Sequence, residues 1–335
     1  NEWMDPRFIE VTGFAIPTEE EAAHPPNWRF WKALPPKGRI GVFFGAWQTM
    51  PILERVLGNL GPDGFAARME EIMRLERMLT DEGVLLIKYW FHLSKAQQKK
   101  RIKALEKDKE TSWKVTRYDR TLFDHYEDFI EVCEPFLRET STGEAPWTVV
   151  PAADERYRAL FVGRHLLAAL RARLDAPKAT AAAPTVAASP PPDKVNVIRA
   201  LTLKQEMSRD DYDKALAEAQ GRLARATRHK RYGNLSVIAV FEGNDAAGKG
   251  GAVRRLGAAL DPRAYRIVPV AAPTEEERAQ PYLWRFWRHM PRPGRLVVFD
   301  RSWYGRVLVE RVEGFAAEAD WRRAYGEIND FEEQL

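Results

Sequence analysis

Cysteine is almost missing from this sequence. Cys133 is the only one in 335 residues, which excludes an internal disulfide and a zinc site built on several cysteines, and fits a reducing compartment. Long hydrophobic runs are missing too. No stretch approaches the ~20 apolar residues that a membrane-spanning helix needs, and the opening Asn-Glu-Trp-Met-Asp-Pro does not have the form of a signal peptide. A soluble, cytoplasmic protein with no membrane partner is therefore expected. Histidine is scarce, at six residues, and His92, His125 and His165 lie too far apart for metal-ligand spacing. Neither charge sign dominates: Lys and Arg number 52 against 48 Asp and Glu. The charges are interspersed, a balance that suits an anionic ligand without demanding nucleic acid. Position 1 is not Met, and the chain stops at Leu335 inside what reads as a helix, so both ends are expected to be cut.

What is present begins with a repeat. Pro17-Thr-Glu-Glu-Glu21 recurs as Pro273-Thr-Glu-Glu-Glu277, and Trp28-Arg-Phe-Trp31 as Trp284-Arg-Phe-Trp287, at one ungapped offset of 256. Asp5-Pro-Arg7 matches Asp261-Pro-Arg263, and Glu54-Arg-Val56 matches Glu310-Arg-Val312, at the same offset. Such self-similarity implies two copies of one domain, with residues 1–79 corresponding to 260–335 plus a few at the start. The Ala/Pro/Thr/Ser-rich stretch Asp175 to Asp193, with Pro190, Pro191 and Pro192 in a row, is too poor in large apolar residues to pack and reads as a linker. The expected division is a first copy over 1–175, a linker over 176–193 and a second copy over 194–335, each copy incomplete.

Short apolar runs bounded by breakers mark buried strands. Leu235 to Phe241, Tyr265 to Val270 and Leu296 to Phe299 supply three in the second copy, and Val84 to Trp90 and Trp147 to Val150 two in the first. Helical spacing covers Gln97 to Leu105, Arg156 to Leu174 and Tyr212 to Arg228. Strands alternating with helices predict an α/β fold, a parallel sheet flanked by helices and tandemly duplicated.

Immediately after the strand ending at Phe241 comes Gly243-Asn244-Asp245-Ala246-Ala247-Gly248-Lys249-Gly250-Gly251. This is G-x-x-x-x-G-K in the strand-to-helix setting the motif needs. Glycines let backbone N–H groups curl around phosphate oxygens, the following helix directs its positive end at them, and Lys249 neutralises charge as phosphoryl moves. The bland alternative is a glycine-rich turn with no ligand. Gly250 stands where Ser or Thr would usually hold Mg²⁺, which leaves Asp245 as the nearby carboxylate. The run Leu296 to Phe299 ends in Asp300, a metal ligand of the Walker B kind, followed by Arg301-Ser-Trp-Tyr-Gly-Arg306. Arg301 and Arg306 are candidates to fork onto phosphate oxygens; the alternative is a mutual Asp300–Arg301 ion pair. In the first copy Phe44 stands at the aspartate's place and Gly45 at the arginine's, so that copy has lost its metal ligand and is expected to be structural or non-catalytic. The run Trp284-Arg-Phe-Trp287-Arg288-His289 could stack a base or line a phosphate channel, but its twin Trp28-Arg-Phe-Trp31 in the degraded copy favours the core, with the arginines open. The Lys/Arg-dense helix over Lys95 to Lys109 is either a solvated face or a phosphate-covering lid.

At Gly243 to Gly251 together with Asp300-Arg-Ser-Trp-Tyr304, the chain resembles the polyphosphate kinase 2 family, P-loop kinases that move the terminal phosphate of inorganic polyphosphate to nucleotides. Lys88-Tyr-Trp-Phe-His-Leu-Ser-Lys95, Trp113-Lys114, Thr140-Ser-Thr142 and Ala145-Pro-Trp147 extend the likeness over nearly the whole chain. The duplication with a degenerate first copy resembles the two-domain branch, which makes ADP from AMP. The resemblance implies a P-loop kinase-like fold, with Asp245 and Asp300 holding Mg²⁺, Lys249 stabilising the transferring phosphoryl and Arg301 contacting phosphates of nucleotide or chain. Its partners would be inorganic polyphosphate and AMP or ADP, with homo-oligomerisation open. Two rivals are an ATP-dependent nucleoside monophosphate kinase, disfavoured by Gly250, and a non-catalytic binding protein. Residues 80–335 span one repeat length, so the first copy's strands could complete the second copy's sheet.

Overall fold

The computed structural model describes residues 4–176, 198 and 200–335; the expected linker falls almost wholly outside the described residues. The first part of the chain runs β1 (Ile9–Gly13), α1 (Glu19–Ala22), α2 (Trp28–Lys32), β2 (Ile40–Phe44), α3 (Thr49–Val56), α4 (Pro62–Asp81) and β3 (Lys88–His92). It continues through α5 (Lys95–Lys107), α6 (Arg117–Asp124), α7 (Tyr126–Glu139), β4 (Trp147–Pro151) and α8 (Glu155–Asp175). Then come α9 (Arg209–Thr227), β5 (Ser236–Phe241), α10 (Lys249–Gly257), β6 (Tyr265–Pro269), α11 (Glu275–Arg278), α12 (Trp284–Trp287), β7 (Arg295–Asp300) and α13 (Glu318–Glu333). Among the described residues no helix is long and apolar enough to cross a membrane.

The described residues form two compact units, one from Asn1–Val42 with Thr180–Leu335, the other from Phe43–Ala179. The division thus cuts through the first copy rather than between the copies. In the first unit β5, β7 and β6 form a parallel sheet in that order. β7 is its middle strand, and Leu296, Val297, Val298 and Phe299 are all buried, as an apolar run covered on both faces requires. Leu296 and Val298 pack with Val253 of α10 and Leu260. On the other face Phe299 meets the rings of Phe286 and Trp303 at 6.2 and 5.4 Å.

The repeat is legible in atoms as well as letters. Thr18 and Glu21 make a capping box at α1, and Thr274 and Glu277 make the same box at α11. Arg29 donates to Ala15 O at 2.8 Å, and its equivalent Arg285 donates to Ala271 O at 2.9 Å. Both Trp-Arg-Phe-Trp helices are buried as expected. They pack on each other through the equivalent residues Trp31 and Trp287, stacked at 5.9 Å.

His289 follows α12 with its ring partly buried and its Nδ1 without a hydrogen-bond partner. Burial first, then the charges of Arg266 and Arg288, push its pKa down to about 4. The unfolded chain, titrating near ~6.5, binds this proton more readily than the fold does. Stability of this unit should therefore be full above about pH 6.5 and decline as pH falls toward about 4. Chemical denaturation of His289→Gln across that window should show a shallower decline than the wild type.

In the second unit β3 and β4 form a two-stranded parallel sheet from Lys88↔Trp147 to His92↔Pro151. The strand expected over Val84 to Trp90 starts only at Lys88, because its partner strand begins opposite that residue. The expectation that the first copy's strands complete the second copy's sheet is corrected here. Among the described residues β3 bonds to β4 alone, in a sheet separate from β5, β7 and β6. A buried ionic network holds this unit together: Glu76 of α4 accepts from Lys88 Nζ at 2.6 Å, Trp47 Nε1 at 3.0 Å and Gln48 Nε2 at 2.7 Å. Lys88 also donates to Thr140 O at 2.7 Å.

Candidate active site

β5 and β7 end side by side, Phe241 in register with Asp300, and each strand leads directly into a loop that carries chemistry. This is the carboxyl edge of a parallel sheet, where α/β sites form. After β5 the chain turns through Gly243, at φ +147°, and Gly248, at φ +89°. Only glycine takes the second of these without strain. Gly248 caps α10 with no side-chain hydrogen bond to the helix, so the first N–H groups of Lys249, Gly250 and Gly251 remain available to an anion. Lys249 Nζ reaches back over the loop to Gly243 O at 2.7 Å and Asn244 O at 2.8 Å. It holds the loop closed on itself with its ammonium in the concavity.

The second loop brings the opposite set of charges. Asp300 is partly buried, and no hydrogen bond or ion pair to its carboxylate is found among the described residues. A carboxylate without a partner at a strand end invites a cation. Arg301 N donates to Phe241 O at 3.0 Å, and Arg301 Nη2 donates to Asp245 Oδ1 at 2.6 Å. The Asp300–Arg301 pair that sequence left open is thus replaced by Asp245–Arg301 across the two loops. Arg301 sits at φ +66° and Ala246 at φ +61°, left-handed backbone that costs a non-glycine residue about 1 kcal/mol or more and clusters at functional sites.

Arg306, a candidate phosphate ligand, lies farther along in a π-helical turn over Arg306–Glu310. Its guanidinium pairs with Glu310 at 3.4 Å and covers the ring of Tyr282 at 3.9 Å. Burial pushes the Tyr282 phenol up, so it remains a hydroxyl that donates to Trp303 O at 2.9 Å and accepts from Arg306 N at 3.0 Å. Gly243 to Gly251, Asp300 and Arg301 therefore converge, and Arg306 is engaged elsewhere.

Sequence reasoning passed over two residues. Glu242, beside Gly243, accepts from Ser302 Oγ at 2.7 Å. Glu332 of α13 accepts from Trp303 Nε1 at 2.8 Å and Tyr304 Oη at 2.6 Å. The repeat could have found Glu332, since Glu76 stands 256 residues before it and holds Trp47 in the same way. In the second unit α5 has no buried residue and borders a cleft of about 450 Å³ whose lining includes Trp90, His92, Arg101, Tyr126 and Arg158.

The sequence profile described as Polyphosphate kinase 2 (PPK2) matches residues 1–178 and 206–335. The chain belongs to the polyphosphate kinase 2 family. It is 56% identical over 339 residues to the polyphosphate:AMP phosphotransferase of Pseudomonas aeruginosa, covering 100% of this chain and 68% of that one. It is 51% identical over 336 residues to the protein of the same name from Pseudomonas syringae pv. tomato, again covering 100% and 68%. The solved structure of a putative polyphosphate kinase 2 from Pseudomonas aeruginosa superposes with a TM-score of 0.85 at 52% identity, over 100% of this chain and 65% of that one. The chain thus spans about two thirds of the length of these relatives. The α/β kinase-like fold expected from the sequence is the fold of the family.

Proposed function

We propose that the protein transfers the terminal phosphate of inorganic polyphosphate to AMP, giving ADP, at the site of the second copy. The reading rests on one observation above all: the loop Gly243 to Gly251 and the pair Asp300 and Arg301 follow adjacent, in-register strands. The names of the two relatives specify the substrates.

In the proposed reaction an oxygen of the AMP phosphate attacks the terminal phosphorus, and the bond to the bridging oxygen breaks in line. The electron pair leaves with the shortened polyphosphate. Little covalent work falls to the protein; positioning and charge neutralisation carry the rate. Backbone N–H groups at the start of α10 would hold the chain's terminal phosphates. Lys249 would leave its two carbonyl partners to follow the moving phosphoryl, and Arg301 would leave Asp245 for the oxygens of donor or acceptor. Asp300 and Asp245 fit Mg²⁺, which takes one or two carboxylates plus phosphate oxygens; the unpartnered Asp300 carboxylate is the observation in its favour. Bound there, the ion would neutralise charge on the phosphates. No cluster of three or more His, Cys, Asp or Glu side chains among the described residues offers a fuller cage. The first copy is proposed to be non-catalytic, with Phe44, which is 66% exposed, where Asp300 stands. We place the reaction in the cytoplasm, with no nucleic-acid partner.

Arg301 offers a test that separates chemistry from folding. Gly45, its equivalent, takes φ +68° where Arg301 takes +66°. Arg301→Gly should therefore leave the thermal midpoint unchanged or raise it by up to about 2 °C, while ADP formation falls about 100-fold or more.

The deciding experiment compares polyphosphate with ATP as donor in Mg²⁺-dependent ADP formation from AMP. Turnover with polyphosphate supports the proposal. Turnover with ATP alone would reassign the protein as a nucleotide kinase, and binding of polyphosphate without turnover would make it a binding protein.

A further inference from the structure

Ser302 is a buried hydroxyl, 1% exposed, two residues after Asp300. It donates to Glu242 Oε1 at 2.7 Å and accepts from Tyr304 N at 3.3 Å. Glu242 lies between the last residue of β5 and the first glycine of the phosphate loop. No second hydrogen bond to its carboxylate is found among the described residues. The bond therefore ties the root of one loop to the root of the other. The same two loops also meet in the Asp245–Arg301 pair, whose side chains are 88% and 39% exposed. In the proposed reaction the exposed pair opens to admit phosphate, whereas the half-buried bond from Ser302 to Glu242 stays made.

The first copy supplies an internal comparison. Phe44, Gly45 and Ala46 stand where the second copy has Asp300, Arg301 and Ser302, while Trp47 is kept for Trp303. Trp47 bonds Glu76 at 3.0 Å as Trp303 bonds Glu332 at 2.8 Å. The group that serves the fold in both copies is retained. The serine hydroxyl has gone together with the aspartate and the arginine, although Gly45 keeps the same left-handed turn. A serine needed only to make that turn would have been retained with it.

We infer that Glu242 and Ser302 are a pair of positioning residues, which lock the loop after β7 to the phosphate loop and so fix the aim of Asp300 and Arg301. The inference rests on the phosphotransfer reading and gives Glu242 and Ser302 a role that the motifs do not assign. Their role in this inference is through each other and the loops, not through contact with substrate. The carboxylate is needed as a hydrogen-bond acceptor for a hydroxyl, a duty a glutamine carbonyl can also perform.

The test is a double-mutant cycle in the full chain, with kcat and KM for polyphosphate and AMP measured for E242A, E242Q, S302A and E242A/S302A. Misplacing reacting groups by about 1 Å can cost about 100-fold. E242A and S302A should each lose about 10- to 100-fold in kcat with KM within about threefold, and the double variant should be no slower than the slower single, as coupled residues require. E242Q should recover most of the kcat lost in E242A. The inference is overturned if S302A stays within about twofold of wild type, if the two losses multiply, or if E242Q is as slow as E242A. That last outcome would mean the charge itself acts at the site. Wild-type turnover, measured in the same series, reports separately on the phosphotransfer reading. If the wild type binds polyphosphate without turning it over, the phosphotransfer reading fails, and this inference, which rests on it, falls with it.

Discussion

Replacing Lys249 with alanine is expected to lower the rate of ADP formation by about 1,000-fold. Two consequences add. The ammonium that would neutralise the moving phosphoryl is gone, and so are the hydrogen bonds of 2.7 and 2.8 Å that fold the loop over Gly243 O and Asn244 O. Arginine should not rescue the loss, because a planar guanidinium cannot place a compact charge between two carbonyls of one tight loop. Lys249 is only partly buried and has no carboxylate partner among the described residues, so stability should change little. Single-turnover rates with polyphosphate and AMP, beside a thermal melt, check both halves. A rate within about tenfold of wild type would move the charge-neutralising role to Arg301.

The largest effect on stability is expected at Lys88. Its ammonium and the Glu76 carboxylate are nearly sealed from water, at 3% and 1% side-chain exposure, and meet at 2.6 Å. Burial pushes the Lys88 pKa down and the Glu76 charge pulls it back up. Lys88→Met would strand a buried carboxylate with two neutral donors, Trp47 and Gln48. Removing one partner of a buried pair costs about 3–5 kcal/mol, far more than the pair is worth against an apolar replacement. Urea unfolding of the unit holding α4 and β3 should show that loss in Lys88→Met, and most of it should return in Lys88→Met/Glu76→Leu. A single variant within about 1 kcal/mol of wild type would show that water reaches the site.

Much of this architecture was written locally. The run Leu296 to Phe299 could only be a strand covered on both faces, and the glycine spacing from Gly243 to Gly248 after a β-branched run marked the phosphate loop. Both signals live within a few residues, where periodicity and backbone preference act. The offset of 256 added long-range information of an unusual kind, since it let Phe44 and Gly45 be read against Asp300 and Arg301. What stayed hidden are pairings between distant segments. Nothing in Asp245, Arg301 or Glu310 announces that the first two meet and that the third takes Arg306, because such choices depend on where loops lie once the sheet has formed. The grouping of Asn1–Val42 with the second copy was hidden for the same reason: the buried faces of α2 and α12 are alike in sequence, and the sequence does not say that they face each other.

The matching backbone at Gly45 and Arg301 also sets a direction of change. Glycine at position 45 takes this left-handed turn freely, whereas arginine at 301 takes it at a cost. Placing arginine at position 45 would bring that strain in at once, while any benefit would wait until aspartate and serine also stood at positions 44 and 46. If the first copy is the non-catalytic one, as proposed, the turn works as a ratchet: glycine there is the easy state, and each single step toward the second copy's residues is uphill.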